Sequence, residues 1–218
     1  MWFNDKGFAI PANTKDTTGW VEAANLGANP VSGALFSTTT VASAHDVAYA
    51  GYCGTCNNKG FTRGLVRIEP KAGGGFTKTE LAASGLPNRY LSGIWVDPAR
   101  TSHVVVGVNG FSRKWTEGPG AGTGHVFESV DGGETFKDIS GNLPDVPVDD
   151  VEVVGGTIVL GTDLGVVAAE RKKAGTPLRW STLGRNLPAV TVMDVSTGPD
   201  GVLYAGTHSR GIWGYRIR

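Results

Sequence analysis

Apolar residues alternate with polar or small ones over short runs that end at glycine, and the same order of runs returns along the chain. Three segments, "SGLPNRYLSGIWVDP" (84–98), "GNLPDVPVDDVEVVG" (141–155) and "RNLPAVTVMDVSTGP" (185–199), each read Leu-Pro, a short linker and an alternating run, with Leu86, Leu143 and Leu187 in phase. Alternation with a period of two sends successive side chains to opposite faces, the mark of a strand with one face buried. A second run follows in each copy, "HVVVGVNG", "TIVLGTDLG" and "VLYAGTHSRG", closed by glycine where the chain must turn. A third is "GHVFESV", "GVVAAER" and "GIWGYRIR", and a fourth, "TFKDISGN" or "LRWSTLGRN", precedes the next Leu-Pro. Each copy is therefore predicted to be a four-stranded antiparallel meander. No long segment repeats its apolar residues at helical spacing, so helix has no predicted place.

A more divergent copy starts near Val31 with "VSGALFSTT", "DVAYAGYCG", "RGLVRIEP" and "FTKTELAASGLP". The compact copy from Leu143 to Leu187 spans 44 residues, within the roughly 40 to 50 expected of a propeller blade. The expected fold is all-β, a single β-propeller domain over residues 1–218 with four-stranded blades. Residues 1–27 are assigned to the end of a preceding blade or a closing strand. Residues 28–87, 88–144 and 145–188 form three blades, and 189–218 a last blade lacking its outer strand. Residues 14–27 are suited to supply that strand, yet "KGFAIP" then remains surplus, and four blades is the lower limit for a closed ring. The expectation is a partial ring of four to five blades, the C-terminal part of a larger propeller. Its remaining blades would come from the parent chain or another chain, because uncovered apolar sheet faces recruit partners.

Composition agrees with many tight turns: glycine supplies 33 residues and charged residues only 18 %, against about 25 % in ordinary domains. Twenty basic residues balance twenty acidic ones, so there is no field to draw in nucleic acid or an anionic membrane. No run is long and apolar enough for a membrane helix, and "MWFNDKGFAI" lacks the pattern of a signal peptide. No cofactor is expected: "GPGAGTG" (118–124) has no following Lys-Ser/Thr and no helix to present amides to phosphate. No metal is expected either, since Cys53 and Cys56 have no second Cys/His pair at suitable spacing. That pair lies in a loop with no helix behind it to lower a thiol pKa, so a structural disulfide is the leading reading.

"SVDGGETF", Ser129 to Phe136, resembles the Asp-box, Ser-x-Asp-x-Gly-x-Thr-aromatic, of sialidase-type and sortilin-type propellers, photosystem-assembly propellers and xyloglucanases. "NLPDVPVDDV" and "YAGTHSRGIW" resemble the blade starts and final blade of secreted bacterial proteins in that group, which implies a secreted or extracellular protein. The motif is specific for fold and poor for function. Its residues suggest a turn fastener: Asp131 accepts local backbone hydrogen bonds, Ser129 and Thr135 pair beside it, Gly132 and Gly133 allow the turn, and Phe136 packs between sheets.

In such propellers the ligand mouth is built from loops entering the first strand of each blade and loops joining the second and third. The candidates there are Arg89, Tyr90, Arg113, Trp115, Asp163, His208 and Arg210, rings and charges suited to stacking on and bonding sugars or peptides. Arg63 lies in another such loop, but the spacing of these residues does not reproduce a sialidase set. Hydrolysis by two carboxylates would draw on Glu117, Asp145, Asp149, Asp150 or Asp163; Asp149 and Asp150 face opposite sides of a strand and cannot pair with each other. The expected function is a secreted module binding glycan or protein through the mouth, with a sialidase- or xyloglucanase-like glycoside hydrolase, or a fragment of one, as the alternative.

Overall fold

The structure, a computed structural model, describes residues 22–28, 33–53, 63–111 and 124–217. All their regular structure is β, in four antiparallel sheets whose ladders join only strands that follow one another in the chain. Sheet I holds β1 (Ser37–Ala44), β2 (Val47–Cys53), β3 (Gly64–Pro70) and β4 (Phe76–Glu80). Sheet II holds β5 (Leu91–Val96), β6 (Val104–Val108), β7 (Val126–Ser129) and β8 (Lys137–Asp138). Sheet III holds β9 (Val148–Val154), β10 (Thr157–Thr162), β11 (Gly165–Glu170) and β12 (Ser181–Thr182). Sheet IV holds β13 (Val192–Thr197), β14 (Val202–Thr207) and β15 (Ile212–Arg216).

The first strands β1, β5, β9 and β13 touch in succession, and among the described residues β13 makes no comparable contact with β1. The sheets therefore form an open arc with the first strands innermost. Each gap between sheets is an apolar core. Tyr49, Leu65 and Leu81 of sheet I meet Ile94, Val106 and Phe127 of sheet II; Val105 and Val126 of sheet II meet Val151, Ile158 and Leu160 of sheet III; Val159 and Val166 meet Val195, Leu203 and Ala205. At the far side of sheet I, Ala23, Ala24, Leu26 and Phe36 cover Ala48, Ala50, Tyr52, Val66 and Ile68. The middle strands β2, β6 and β10 are buried on both faces, which is why they read as nearly continuous runs of Val, Ile, Leu and Ala.

One aromatic after each third strand locks a gap. Phe136 fits between sheets I and II, and Trp180 between sheets II and III. Burial of such a ring contributes roughly 1.5 to 3 kcal/mol. The backbone passes so close to Gly85 and Gly141, both at positive φ, that a Cβ there would run into the carbonyl oxygens of Phe136 and Leu178. Asn142 clamps the Trp180 backbone: its Oδ1 accepts from Trp180 N at 2.6 Å and its Nδ2 donates to Trp180 O at 3.1 Å.

The first strand of sheet I runs from Ser37, its register set by pairing with β2 with an irregularity between Thr38 and Thr40; Val31 lies outside the described residues. One feature differs from the sequence expectation. The fourth strands of sheets II and III shrink to two exposed residues each, since side-chain clamps and turn bonds replace the outer ladder. "KGFAIP" and the first three residues of "GWVEAANLG" lie outside the described residues.

Candidate functional site

A single hydrogen bond recurs at one end of the sheets. The residue leaving each second strand donates its N–H to the carbonyl of the loop entering the first strand: Asn109 to Tyr90 at 2.9 Å, Asp163 to Pro147 at 3.3 Å and His208 to Thr191 at 2.8 Å. These bonds bring the two kinds of loop into one rim. Asn109, Asp163 and His208 stand at the same position of the repeat, two residues beyond the glycine of "GVN", "GTD" and "GTH".

Two arginines, Arg89 buried and Arg63 half-buried, hold this rim together. Arg63 donates from Nε to Pro87 O at 2.8 Å and from its guanidinium to Leu86 O at 2.9 Å and Ala83 O at 3.3 Å. Arg89 is 1 % exposed and donates to Gly124 O at 2.9 Å, Asn109 O at 3.0 Å and Gly110 O. It also reaches His125 Nδ1 at 3.2 Å, so that Nδ1 accepts and the opposite Nε2–H donates to Asp145 at 2.9 Å. Burial, with the Arg89 charge beside it, pushes the His125 pKa down. Arg89 thus organises the loops from beneath, while Tyr90 presents its ring to solvent above it.

Asp149 and Asp163 are the chemically distinctive pair. Asn109 donates to Asp149 Oδ1 at 2.6 Å, and the buried Oδ2 has no donor. Burial pushes Asp149 up to about 6; the charge of Asp163 adds to this, against the Asn109 bond. Asp149 therefore keeps its proton above the ordinary carboxylate range. Asp150 points away from this pair and accepts from Val195 N at 2.9 Å. Burial lifts it too to about 6, with Asp194 and Glu152 adding repulsion. His208 and Arg210 are exposed one sheet further on, with His208 Nδ1 3.2 Å from Ser209 Oγ. Phe111 is 43 % and Leu164 66 % exposed on the rim. Arg113, Trp115 and Glu117 lie outside the described residues, as does Cys56; Cys53 is buried, and no described cysteine is free.

Residues 129–136 occupy the opposite end. Ser129 Oγ donates to Asp131 Oδ1 at 2.8 Å and accepts from Gly133 N at 2.9 Å. Thr135 donates from N to Asp131 Oδ1 at 3.0 Å and from Oγ1 to Oδ2 at 2.5 Å. Slight burial raises the Asp131 pKa, but the Thr135 and Ser129 bonds outweigh it and hold the carboxyl below its usual range. Also at this end, His103 lies 2.7 Å from Glu128 and 3.1 Å from Asp97, with Arg171 of sheet III 2.9 Å from the ring, fastening sheet II to sheet III.

No protein-family model matches the chain, and no curated protein matches it by sequence. Solved structures do match by shape. The GH74 xyloglucanase from Xanthomonas campestris superposes with TM-score 0.54 at 13 % identity, over 82 % of this chain and 29 % of that one. An ancestral GH74 enzyme gives 0.57 at 17 % identity, over 83 % and 26 %. The extracellular domain of a hybrid two-component system from B. thetaiotaomicron gives 0.55 at 14 % identity, over 83 % and 21 %. The fold is that of a β-propeller. The chain spans between about a fifth and three tenths of the length of these proteins, and its four sheets are four consecutive blades of a partial ring.

In propeller terms the rim of Tyr90, Asn109, Phe111, Asp149, Asp163 and His208 is the mouth, and residues 129–136 face away from it. The blade repeat unites Asp163 and His208 with Tyr90, all three singled out from sequence. Asn109 was missed, although its place in the repeat matches theirs. The closeness of Asp149 to Asp163 comes from the pairing of β9 with β10 inside one blade, where an irregularity sets Thr162 opposite Val148. Among the described residues no group of three or more His, Cys, Asp or Glu side chains is placed to hold a metal ion.

Proposed function

We propose that the chain is a secreted propeller module, part of a larger ring, that binds a glycan or a protein through this mouth. The observation that carries the reading is the pair of solvent-facing rings, Tyr90 and Phe111, on a rim locked by Arg89. Rings on a rigid base stack on sugar faces or peptide side chains at small entropic cost, and nearby polar groups set orientation. Asp163, His208 and Arg210 supply that polar set, with Arg113 and Trp115 assigned to the same mouth. A Cys53–Cys56 disulfide and an Asp-box at Ser129 to Phe136 belong to this reading, and the extracellular domain among the structural relatives supports an extracellular setting. Screening against glycan and peptide arrays tests it: Tyr90→Ala and Phe111→Ala should each weaken any captured ligand about tenfold or more. Unchanged binding in both variants refutes it.

The raised Asp149 pKa favours a second reading, a glycoside hydrolase, because a carboxyl that keeps its proton near neutrality is a ready general acid. The base or nucleophile would come from elsewhere in the mouth. Release of reducing sugar from xyloglucan, abolished by Asp149→Asn, is the test of this alternative.

A further inference from the structure

At the end opposite the mouth, blades II and III meet around one nitrogen that faces two incompatible partners. His103, at the entry to β6, is 1 % exposed. Its Nε2 stands 2.7 Å from Glu128 Oε1, on β7 of the same blade. Its Nδ1 stands 3.1 Å from Asp97 Oδ2, in the turn after β5, and 2.9 Å from Arg171 Nη2, just beyond β11 of blade III. A carboxylate oxygen only accepts and a guanidinium N–H only donates. Nδ1 therefore satisfies Arg171 when bare and Asp97 when it carries a proton, and never both. With Nε2–H donating to Glu128 in either case, the two arrangements differ by a single proton taken from solvent.

We infer that His103 is a proton-operated latch between blades II and III. Neutral, its Nδ1 holds Arg171 of blade III; protonated, the same nitrogen donates to Asp97 of its own blade and releases Arg171. The latch is closed at higher pH and opens as pH falls. The charged groups facing the ring among the described residues are Asp97 and Glu128 of blade II and Arg171 of blade III, with Lys137 of β8 running against Gly175 beside them. Burial raises the Asp97 pKa, but the bonds from Ala99 and His103 outweigh it and hold the carboxyl below its usual range. Burial raises Glu128 too, and the bonds from His103 and Gly175 likewise bring it below its usual range. Both acceptors thus stay ionised through the interval in which histidines change charge. Arg171 has other company once released: Asp97 Oδ2 lies 3.8 Å from its Nη2, and its guanidinium stands 5.4 Å from the Trp95 ring centroid. Trp95 also packs edge-on against the imidazole at 5.8 Å, which fixes the plane of the ring in both states. A second tie from blade III, Gly175 N to Glu128 Oε2 at 2.6 Å, needs no change at His103. Acid therefore frees the Arg171 side chain and leaves the Gly175 tie in place.

Nitrogen-15 NMR of the folded protein, following the His103 ring and the Arg171 guanidinium from pH 8 to pH 5, tests the latch independently of any ligand. At pH 8 Nδ1 should be bare and the Arg171 side-chain N–H groups protected from exchange with water. As Nδ1 gains its proton, that protection should fall about tenfold or more with the same midpoint, the loss of one hydrogen bond to a charged group, while the Gly175 amide stays protected. Asp97→Asn, whose Oδ1 can still accept from Ala99, lacks the anion that receives the Nδ1 proton. Its release of Arg171 should require about tenfold more acid. The inference is overturned by an Nδ1 already protonated at pH 8 or still bare when the protein unfolds, by Arg171 staying protected after Nδ1 is protonated, or by an Asp97→Asn variant that releases at the wild-type pH.

Discussion

Replacing Asp149 with Asn separates the cost of holding its raised proton from every other role of the mouth. In the unfolded chain this carboxyl titrates near 3.8, and in the folded protein near 6, raised first by burial and then by Asp163. The folded state therefore keeps a proton that the unfolded state has released. The stability linked to this group is fully present below the unfolded value and is lost as pH rises through about 6. The gap corresponds to about 3 kcal/mol at about 1.4 kcal/mol per pH unit. Asp149 is only half buried, and solvent screening reduces this to about 1 kcal/mol. Asparagine at this position still accepts from Asn109, so it removes the proton requirement without orphaning that neighbour. Urea unfolding should show Asp149→Asn about 1 kcal/mol more stable than wild type at pH 7.5 and equal to it at pH 4. An equal loss of stability at both values would refute the raised-proton account.

Asp131→Ala should cost roughly 0.5 to 2 kcal/mol, as for loss of a capping side chain, and leave ligand affinity intact. Because the folded Asp131 pKa is depressed, the wild-type advantage should be full above the ordinary carboxylate range and vanish as pH falls through the folded value; a constant advantage down to pH 2 contradicts this. Trp180→Ala, removing a ring that is 5 % exposed, should destabilise by about 3 to 5 kcal/mol, read from the denaturation midpoint. Gly141→Ala should lower expression or unfold blade III, since its Cβ meets the Leu178 carbonyl; wild-type melting behaviour would show that the loop yields.

Strand order was legible in the sequence because every blade repeats the same alternation and the same Leu-Pro entry. The buried β2, β6 and β10 were clear from their apolar runs, and Phe136 and Trp180 from their shared position. Within the mouth, Asp163 and His208 could be placed from repeat phase. Arg89 could not be distinguished from an exposed loop arginine, because its burial depends on carbonyls from two separate stretches, Asn109–Gly110 and Gly124. The raised pKa of Asp149 was not legible for a similar reason: its surroundings are made by Asn109 of blade II and by Asp163 beyond the next strand.

Every ladder joins strands adjacent in the chain, and this governs how the molecule comes into being. A blade can complete its own hydrogen bonding before the next has been synthesised, so assembly can proceed in order from the N-terminal side with small loop-closure cost at each step. Energetically such a chain behaves as a line of units coupled to nearest neighbours. A lesion in the gap locked by Trp180 should then loosen blades II and III while sparing the gap locked by Phe136, and unfolding should spread inward from whichever end of the line is left uncovered.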